Sequence, residues 1–225
     1  MTESSLHIRD LGFTPYEEAW CIQRELQERL LQGAGQDTLV MCEHEPVITI
    51  GRSAKRENIL AGDRELEERG IRTYAVERGG DVTWHGPGQL VCYPIIDLNG
   101  KRRDVHWYVR GLEEVVIAAL ARFGLNGMRW TGKSGVWIEG GAGEPPRKIS
   151  SLGVRISRWR TLHGFALNVL RCEDGFRLIR PCGLAGVRMT SMQEECEARG
   201  MSGELTVQRT AAVVAEEFKK VFDYH

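Results

Sequence analysis

Two residues of the 225-residue chain have the makings of a nucleophile and its activating group. Cys182 sits in the tight turn Arg180-Pro181-Cys182-Gly183-Leu184-Ala185-Gly186. That is the setting of an accessible thiol, and the backbone N–H groups of Gly183 and Leu184 could face an oxyanion. Lys148, in Arg147-Lys148-Ile149-Ser150-Ser151-Leu152-Gly153-Val154, stands at the mouth of an otherwise apolar strand. Burial there disfavours a charged ammonium and can turn a lysine into a base. A cysteine is more usually activated by a histidine, so the residues alone leave His85, His163 and Lys148 open as its partner.

Around this pair lie stretches suited to holding a ligand. Arg78-Gly79-Gly80-Asp81-Val82-Thr83-Trp84-His85-Gly86-Pro87-Gly88-Gln89-Leu90 has five Gly or Pro among thirteen residues, yet carries Arg, Asp, Thr, Trp, His and Gln. Glycine lets backbone approach a ligand closely, so the stretch reads as a loop wrapped around something. It hangs between the β-rich runs Thr73–Val76 and Leu90–Tyr93. Leu162-His163-Gly164-Phe165-Ala166-Leu167-Asn168 is an apolar strand interrupted by His and Gly, and a glycine inside a strand often marks close approach. His44, between Glu43 and Glu45, has no His or Cys nearby at a ligand spacing and reads as a solvated turn. The chain lacks a G-x-x-x-x-G-K-[ST] loop and a dinucleotide fingerprint opening a helix, which argues against P-loop and Rossmann chemistry.

The elements that must position these groups follow from periodicity. Leu6–Leu11 suits a first strand, and Thr14-Pro15-Tyr16-Glu17 has the form of a capping box. Ala19, Ile22, Leu26 and Leu30 then predict a helix to about Gln32. Leu39–Cys42 and Val47–Ile50 read as strands, and Asp63–Arg69 as a short helix. Asp104 is a credible N-cap for a helix with Tyr108, Leu112, Val115, Val116, Ala119 and Leu120 on one side, ending at Gly124. Three β-like runs follow, Gly135–Glu139, Ile149–Ser157 and Leu162–Leu170, and then a closing amphipathic helix through Val207, Ala211, Val214, Phe218 and Val221. Short turns join several strands, so the expectation is one α/β (α+β) domain over residues 1–225, core about 34–220, with a mixed sheet flanked by helices.

Apolar content of 42%, charged content of 27% and a net charge of -1 are those of an ordinary globular chain without a global pull toward nucleic acid or an anionic membrane. The N-terminus is too polar for a secretory signal. The six cysteines contain no C-x-x-C pair and read as reduced residues of a cytoplasmic protein.

The loop Arg78–Tyr93, Lys148–Arg155, Leu162–Asn168 and Pro181-Cys182-Gly183, in this order and approximate spacing, resemble the octanoyltransferases of protein lipoylation. The resemblance covers about residues 6–220 and implies the lipoate/biotin protein ligase catalytic fold. It also implies a reaction, in which octanoyl (or lipoyl) moves from acyl carrier protein to a lysine on lipoyl domains of 2-oxoacid dehydrogenases and the glycine cleavage H protein. Carried over, Cys182 is the acyl-thioester nucleophile and Lys148 the group that activates it and shuttles protons. Arg78, Gly79, Gly80, Asp81, Val82, Thr83, Trp84 and His85 line the acyl pocket, with Ser151, Leu152, Gly153, His163, Gly164, Phe165 and Ala166. The implied enzyme is a monomer with no cofactor or metal and with neither nucleic acid nor membrane as partner. This chain departs from the pattern in a longer Gly/Pro stretch at 140–146 and in the polar pair Ser150-Ser151. The nearest rival is an ATP-dependent lipoate or biotin ligase, which needs a Lys but no nucleophilic Cys. A non-catalytic acyl-binding module on the same fold would have no need of a reactive thiol.

Overall fold

The chain begins its ordered elements with β1 (His7–Phe13), α1 (Tyr16–Leu31), β2 (Thr38–Glu43), β3 (Val47–Ile50), α2 (Asp63–Glu68), β4 (Arg72–Ala75), β5 (Val82–His85) and β6 (Gln89–Ile95). Next come α3 (Val105–Arg122), β7 (Gly127–Trp130), β8 (Lys133–Ile138), β9 (Arg147–Ser157) and β10 (Arg160–Asn168). The chain closes with α4 (Glu173–Phe176), α5 (Met192–Ala198) and α6 (Val207–Val221). The computed structural model describes residues 5–141, 143–181 and 186–225, so Cys182, Gly183, Leu184 and Ala185 lie outside the described residues.

Seven strands form one sheet in the order β1-β2-β6-β10-β9-β8-β7, and three form a second, β4-β3-β5. β1–β2 and β3–β4 run parallel and the remaining pairs antiparallel, so both sheets are mixed, as the short turns predict. One face of the large sheet is covered by α3 and α6. The whole expected stripe of α3 is buried there with Val214 and Phe218 of α6. Fully burying each aliphatic or aromatic side chain of this kind contributes about 1.5–3 kcal/mol, which makes this layer the main anchor of the sheet. Asp104 caps α3 as expected, accepting from the Trp107 N–H. The opposite face carries α1, whose Ala19 and Leu30 pack on Val40, Val91, Tyr93, Leu162 and Ala166. The small sheet also lies over this face and has its own core of Ile48, Val82, Trp84, Phe176 and Ile179.

Several expectations change. The capping box does not form, because the Thr14 hydroxyl donates to Leu11 O while the Tyr16 N–H turns to Glu45. β2 and β3 fall in different sheets, so the Glu43–Pro46 turn is a crossover point. β7 and α5 were not evident in the sequence: β7 is a four-residue edge strand, and α5 a seven-residue helix, both too short to show a period. The Arg78–Leu90 stretch is not loop throughout, since β5 is embedded in it and pairs with β3. His44 is wholly buried, not solvated. It is held between Thr14 and Tyr93, two partners distant in sequence that no local pattern announces.

Candidate active site

The small sheet and the α1-side face of the large sheet enclose a cavity of about 300 Å³, at the small end of the range for ligand pockets. Its floor is the large sheet, where Val91 and Tyr93 of β6, Gly164, Phe165 and Ala166 of β10, and Ser151, Leu152 and Gly153 of β9 line it. Its other wall is Arg78, Gly80, Asp81, Val82, Thr83 and His85. Lys148 also lines it, with Lys133 and Ser134 near by in the wall.

Lys148 faces the cavity because of a β-bulge. Between Val136↔Ser150 and Trp137↔Lys148, β9 contributes one residue more than β8, so the alternation of side chains is offset across Ile149. Ile149 joins the α3-side core while Lys148, Ser151 and Gly153 share the cavity. Lys148 is 1% exposed, and its Nζ lies 5.2 Å from the centroid of the Trp137 ring, within cation–π range. Its backbone is clamped by exchange with the segment Arg188–Thr190, as Lys148 N–H donates to Arg188 O and Thr190 N–H to Lys148 O. Room for the side chain comes from Gly135, where a Cβ would stand 2.7 Å from Lys148 Cε and 2.4 Å from Ser150 O.

Arg78 is buried, with Nη2 donating to Thr49 O at 2.8 Å and Oγ1 at 2.9 Å and Nη1 to Gly79 O. The Gly79 N–H donates to Val154 O, tying the loop to β9, although Gly79 itself is not in the cavity wall. Trp84 points away. On β5 it alternates with Thr83 and His85, and its ring packs on Phe176 with Gly86 and Gly175 against it. Two wall residues that the sequence did not flag as ligand-facing are Tyr16 and Tyr93. Each reads as a core aromatic, and only the stacking of α1 and the small sheet on the large one brings them to the cavity.

Two buried imidazoles have tautomers set by their partners. Thr190 O can only accept, so Asn168 presents Nδ2 to it and takes Gln89 Nε2 on Oδ1; Gln89 Oε1 then accepts from His85 Nδ1–H at 2.7 Å. His85 Nε2 is thereby left as an acceptor. His44 donates Nδ1–H to Thr14 O, so its Nε2 accepts from the Tyr93 hydroxyl at 2.8 Å. Burial holds His44 below the ordinary histidine range and pushes His85 down to about 3, so both rings are neutral. The chain of bonds continues from Thr190 Oγ1 to Glu195, which also accepts from Arg147 and Arg199. Against the pull of burial, these donors hold Glu195 at about 2.

His163 is the third buried ring. It occupies the left-handed region at φ 60 in the middle of β10, and its backbone N–H leaves the ladder to donate to Gln23 Oε1 of α1. Gly164 beside it is required by the sheet, because a Cβ there would lie 2.1 Å from Cys92 O. Burial depresses the basicity of His163. Among the other cysteines, Cys42, Cys92 and Cys172 are buried, Cys196 is half-buried and Cys21 is exposed.

A buried lysine in a small, mostly enclosed pocket between two mixed sheets defines a domain built to hold a compact substrate beside a basic group. The same fold is seen in lipoate-protein ligase A bound with ATP, with a TM-score of 0.72, 99% of this chain and 87% of that one covered, and 16% identity, a likeness of fold alone. The chain belongs to the lipoyl protein ligase A/B catalytic domain family, whose model matches residues 15–219, and within it to the octanoyltransferases. It is 45% identical over 189 residues to the octanoyltransferase of Syntrophotalea carbinolica, with 84% of this chain and 83% of the relative covered. It is 42% identical over 220 residues to that of Myxococcus xanthus, covering 98% of this chain but 60% of the relative, so it spans little more than half of that longer protein. Among the described residues, no helix is long and apolar enough to cross a membrane.

Proposed function

We propose that the protein transfers octanoyl from acyl carrier protein to the target lysine of lipoyl domains, through a thioester on Cys182 with Lys148 as its acid–base partner. The observation that carries the reading is Lys148, turned by a bulge into an enclosed pocket of a size for a short acyl chain, in a chain whose relatives are octanoyltransferases. Cys182 Sγ attacks the donor thioester carbonyl, forms the enzyme thioester and expels the carrier thiol. The acceptor amine then attacks, loses a proton and releases the Cys182 thiol, which regains one. In each half-reaction Lys148 takes a proton from the attacking group, first the Cys182 thiol and then the amine, and passes it to the departing thiol, first the carrier's and then that of Cys182, help of a type typically worth about 10²–10⁴-fold in rate. The donor is already activated, so no nucleotide is needed. Arg78, Asp81, Thr83, His85, Ser151, Gly153, Gly164 and Ala166 hold the acyl chain in this reading.

An ATP-dependent ligase on the same fold would behave differently in one experiment. The protein is incubated with octanoyl-carrier and an apo lipoyl domain, with and without ATP and magnesium, and the acceptor is weighed by mass spectrometry. Octanoylation without nucleotide is expected, with free octanoate a poor donor. Strict dependence on ATP would overturn the transferase reading. Carrier docking on a local basic face is part of the proposal, with Lys101, Arg102, Arg103, Arg147, Arg155 and Arg158 as the candidate cations, several of which are engaged internally. Lys101 donates to Phe222 O, Arg147 pairs with Glu195, and Arg155 with Glu77.

A further inference from the structure

His85 ends the hydrogen-bonded chain that starts at Glu195, yet the reaction as described leaves its second ring nitrogen unused. The ring is buried in the cavity wall and stacked on Tyr16, 6.1 Å between centroids and 10° between planes, with His44 edge-on at 6.0 Å. Gln89 Oε1 takes the Nδ1 proton, so Nε2 is a bare acceptor, and no described residue donates to it. The sheet register places this acceptor at the reacting end of the pocket. Gln89 pairs with Asn168, and Asn168 lies one residue beyond the Leu167–Ser150 pair, on the side of Lys148. Gln89, Asn168 and Lys148 therefore make a row across β6, β10 and β9, neighbouring strands about 4.8 Å apart. His85, bonded to Gln89 at one end of this row, and Lys148, at the other, flank the same stretch of cavity.

Resting on the acyl-transfer reading, we propose that His85 is a catalytic residue of the second half-reaction, in which its Nε2 accepts a hydrogen bond from the attacking lysine amine. Saturated acyl carbons and a thioester have no N–H or O–H to offer this nitrogen. A thiol has one proton, and Lys148 takes it. A neutral amine has two, so Lys148 takes one while the other points to His85 and the nitrogen lone pair is aimed at the thioester carbonyl. The C–N bond forms, the C–S bond to Cys182 breaks, and the proton held by Lys148 passes to the departing sulfur. His85 gains no proton at any stage. Burial, which pushes the ring down to about 3, keeps it from competing with Lys148 for that proton near neutrality. The pocket thereby favours amine over thiol on an acyl-enzyme that both can attack.

The test starts from preformed octanoyl-enzyme and offers it two nucleophiles in turn, the lysine of an apo lipoyl domain and the thiol of the carrier. Both rates are followed by intact mass in the wild type and in His85→Phe, which keeps a flat ring against Tyr16. The amine/thiol rate ratio should fall about tenfold in His85→Phe, the usual worth of one hydrogen bond. Damage to the pocket, or a ring that serves Lys148 alone, slows both nucleophiles alike. An unchanged ratio therefore overturns the role of His85 and leaves the transferase reading standing. Nitrogen-15 NMR of the histidine-labelled wild-type protein tests the tautomer without any substitution. His85 Nδ1 should carry the proton at neutral pH, and a proton on Nε2 overturns the proposal. A wild type that forms no octanoyl-enzyme overturns the transferase reading, and the role of His85 with it.

Discussion

Gly135→Ala should separate the shape of the site from its chemistry. Gly135 has φ 103, a region an L-residue rarely enters, and the added methyl would meet Ser150 O at 2.4 Å, Lys148 Cε at 2.7 Å and Nζ at 3.3 Å. Backbone strain of about 1–3 kcal/mol and overpacking of about 1–3 kcal/mol sum to roughly 2–6 kcal/mol. For a chain of this size each kcal/mol moves Tm by about 2–4 °C, so a loss of roughly 4–24 °C is expected by calorimetry. Ser150 O belongs to the sheet ladder and cannot give way cheaply, so the flexible Lys148 side chain should move. Displacing a reacting group by about 1 Å can cost on the order of a hundredfold in rate. Single-turnover acylation, followed by intact mass at a temperature where the variant is folded, reads that loss directly. Gly200→Ala is the control, with similar left-handed backbone at φ 64 but nothing within 4 Å of the new methyl. It should lose about 1–2 kcal/mol and keep the wild-type rate. A Gly135→Ala protein as active as Gly200→Ala would refute the placement of Lys148 as a determinant of rate.

The nucleophile is tested by trapping. Wild-type protein given octanoyl-carrier without acceptor should gain one octanoyl group that hydroxylamine releases, Cys182→Ala should gain none, and alanine at Cys21, Cys42, Cys92, Cys172 or Cys196 should not abolish it. Lys148→Arg should acylate slowly because a guanidinium keeps its proton at working pH, and a fully active variant would reduce Lys148 to a fixed charge. Acid should destabilise the fold in two stages. Burial holds His44, His85 and His163 below the ordinary range, so the unfolded chain binds protons below about pH 6.5 that the folded chain refuses. Each such ring removes up to about 1.4 kcal/mol per pH unit as pH falls. The facing His163 ring, for Glu77, and the arginine and threonine donors, for Glu195, hold these carboxylates at about 2 against an ordinary 4.5. Their contribution is present above pH 4.5 and is lost below it. A Tm that stays level from pH 7 to pH 4 would contradict the neutral buried histidines.

What the sequence disclosed and what it hid divide along a physical line. Long amphipathic periods were legible, and α3 buries every residue of its predicted stripe. The contact-constrained glycine of β10 was legible as well, since Gly164 does sit where the Cys92 backbone presses close. Cavity residues on β9, β10 and the Arg78–His85 segment were found from composition and resemblance. Tyr16 and Tyr93 were not, because a tyrosine in an amphipathic helix or an apolar strand looks like core until the facing layer is known. Trp84 went the other way: strand alternation inside a segment read as loop turned it into the second core. His44 escaped because its partners, Thr14 and Tyr93, are joined to it only by tertiary packing.

The bulge at Ile149 explains how one strand can serve both a core and a reaction. A regular β9 would put Lys148 on the face that α3 and α6 bury, where an ammonium has no place among Val115, Val116 and Phe218. One inserted residue lets Ile149 fill that core and sends Lys148 to the other face without breaking the pairing of β9 with β10 from Ser150 onward. The same irregularity would leave the strand end free to shift, and the hydrogen bonds at Arg147 and Thr190 answer this. Arg147 is fastened by two bonds to buried Glu195, and Thr190 grips the Lys148 carbonyl while its own hydroxyl donates to that same carboxylate. Thr190 O then anchors the chain through Asn168 and Gln89 that sets the His85 tautomer. One buried carboxylate thus fixes both the residue that precedes Lys148 and, through Thr190, Asn168 and Gln89, a ring on the opposite wall of the pocket. The polar network inside this fold is therefore better understood as the means of holding two walls in register than as a source of net stability, since buried ion pairs are weak evidence of the latter.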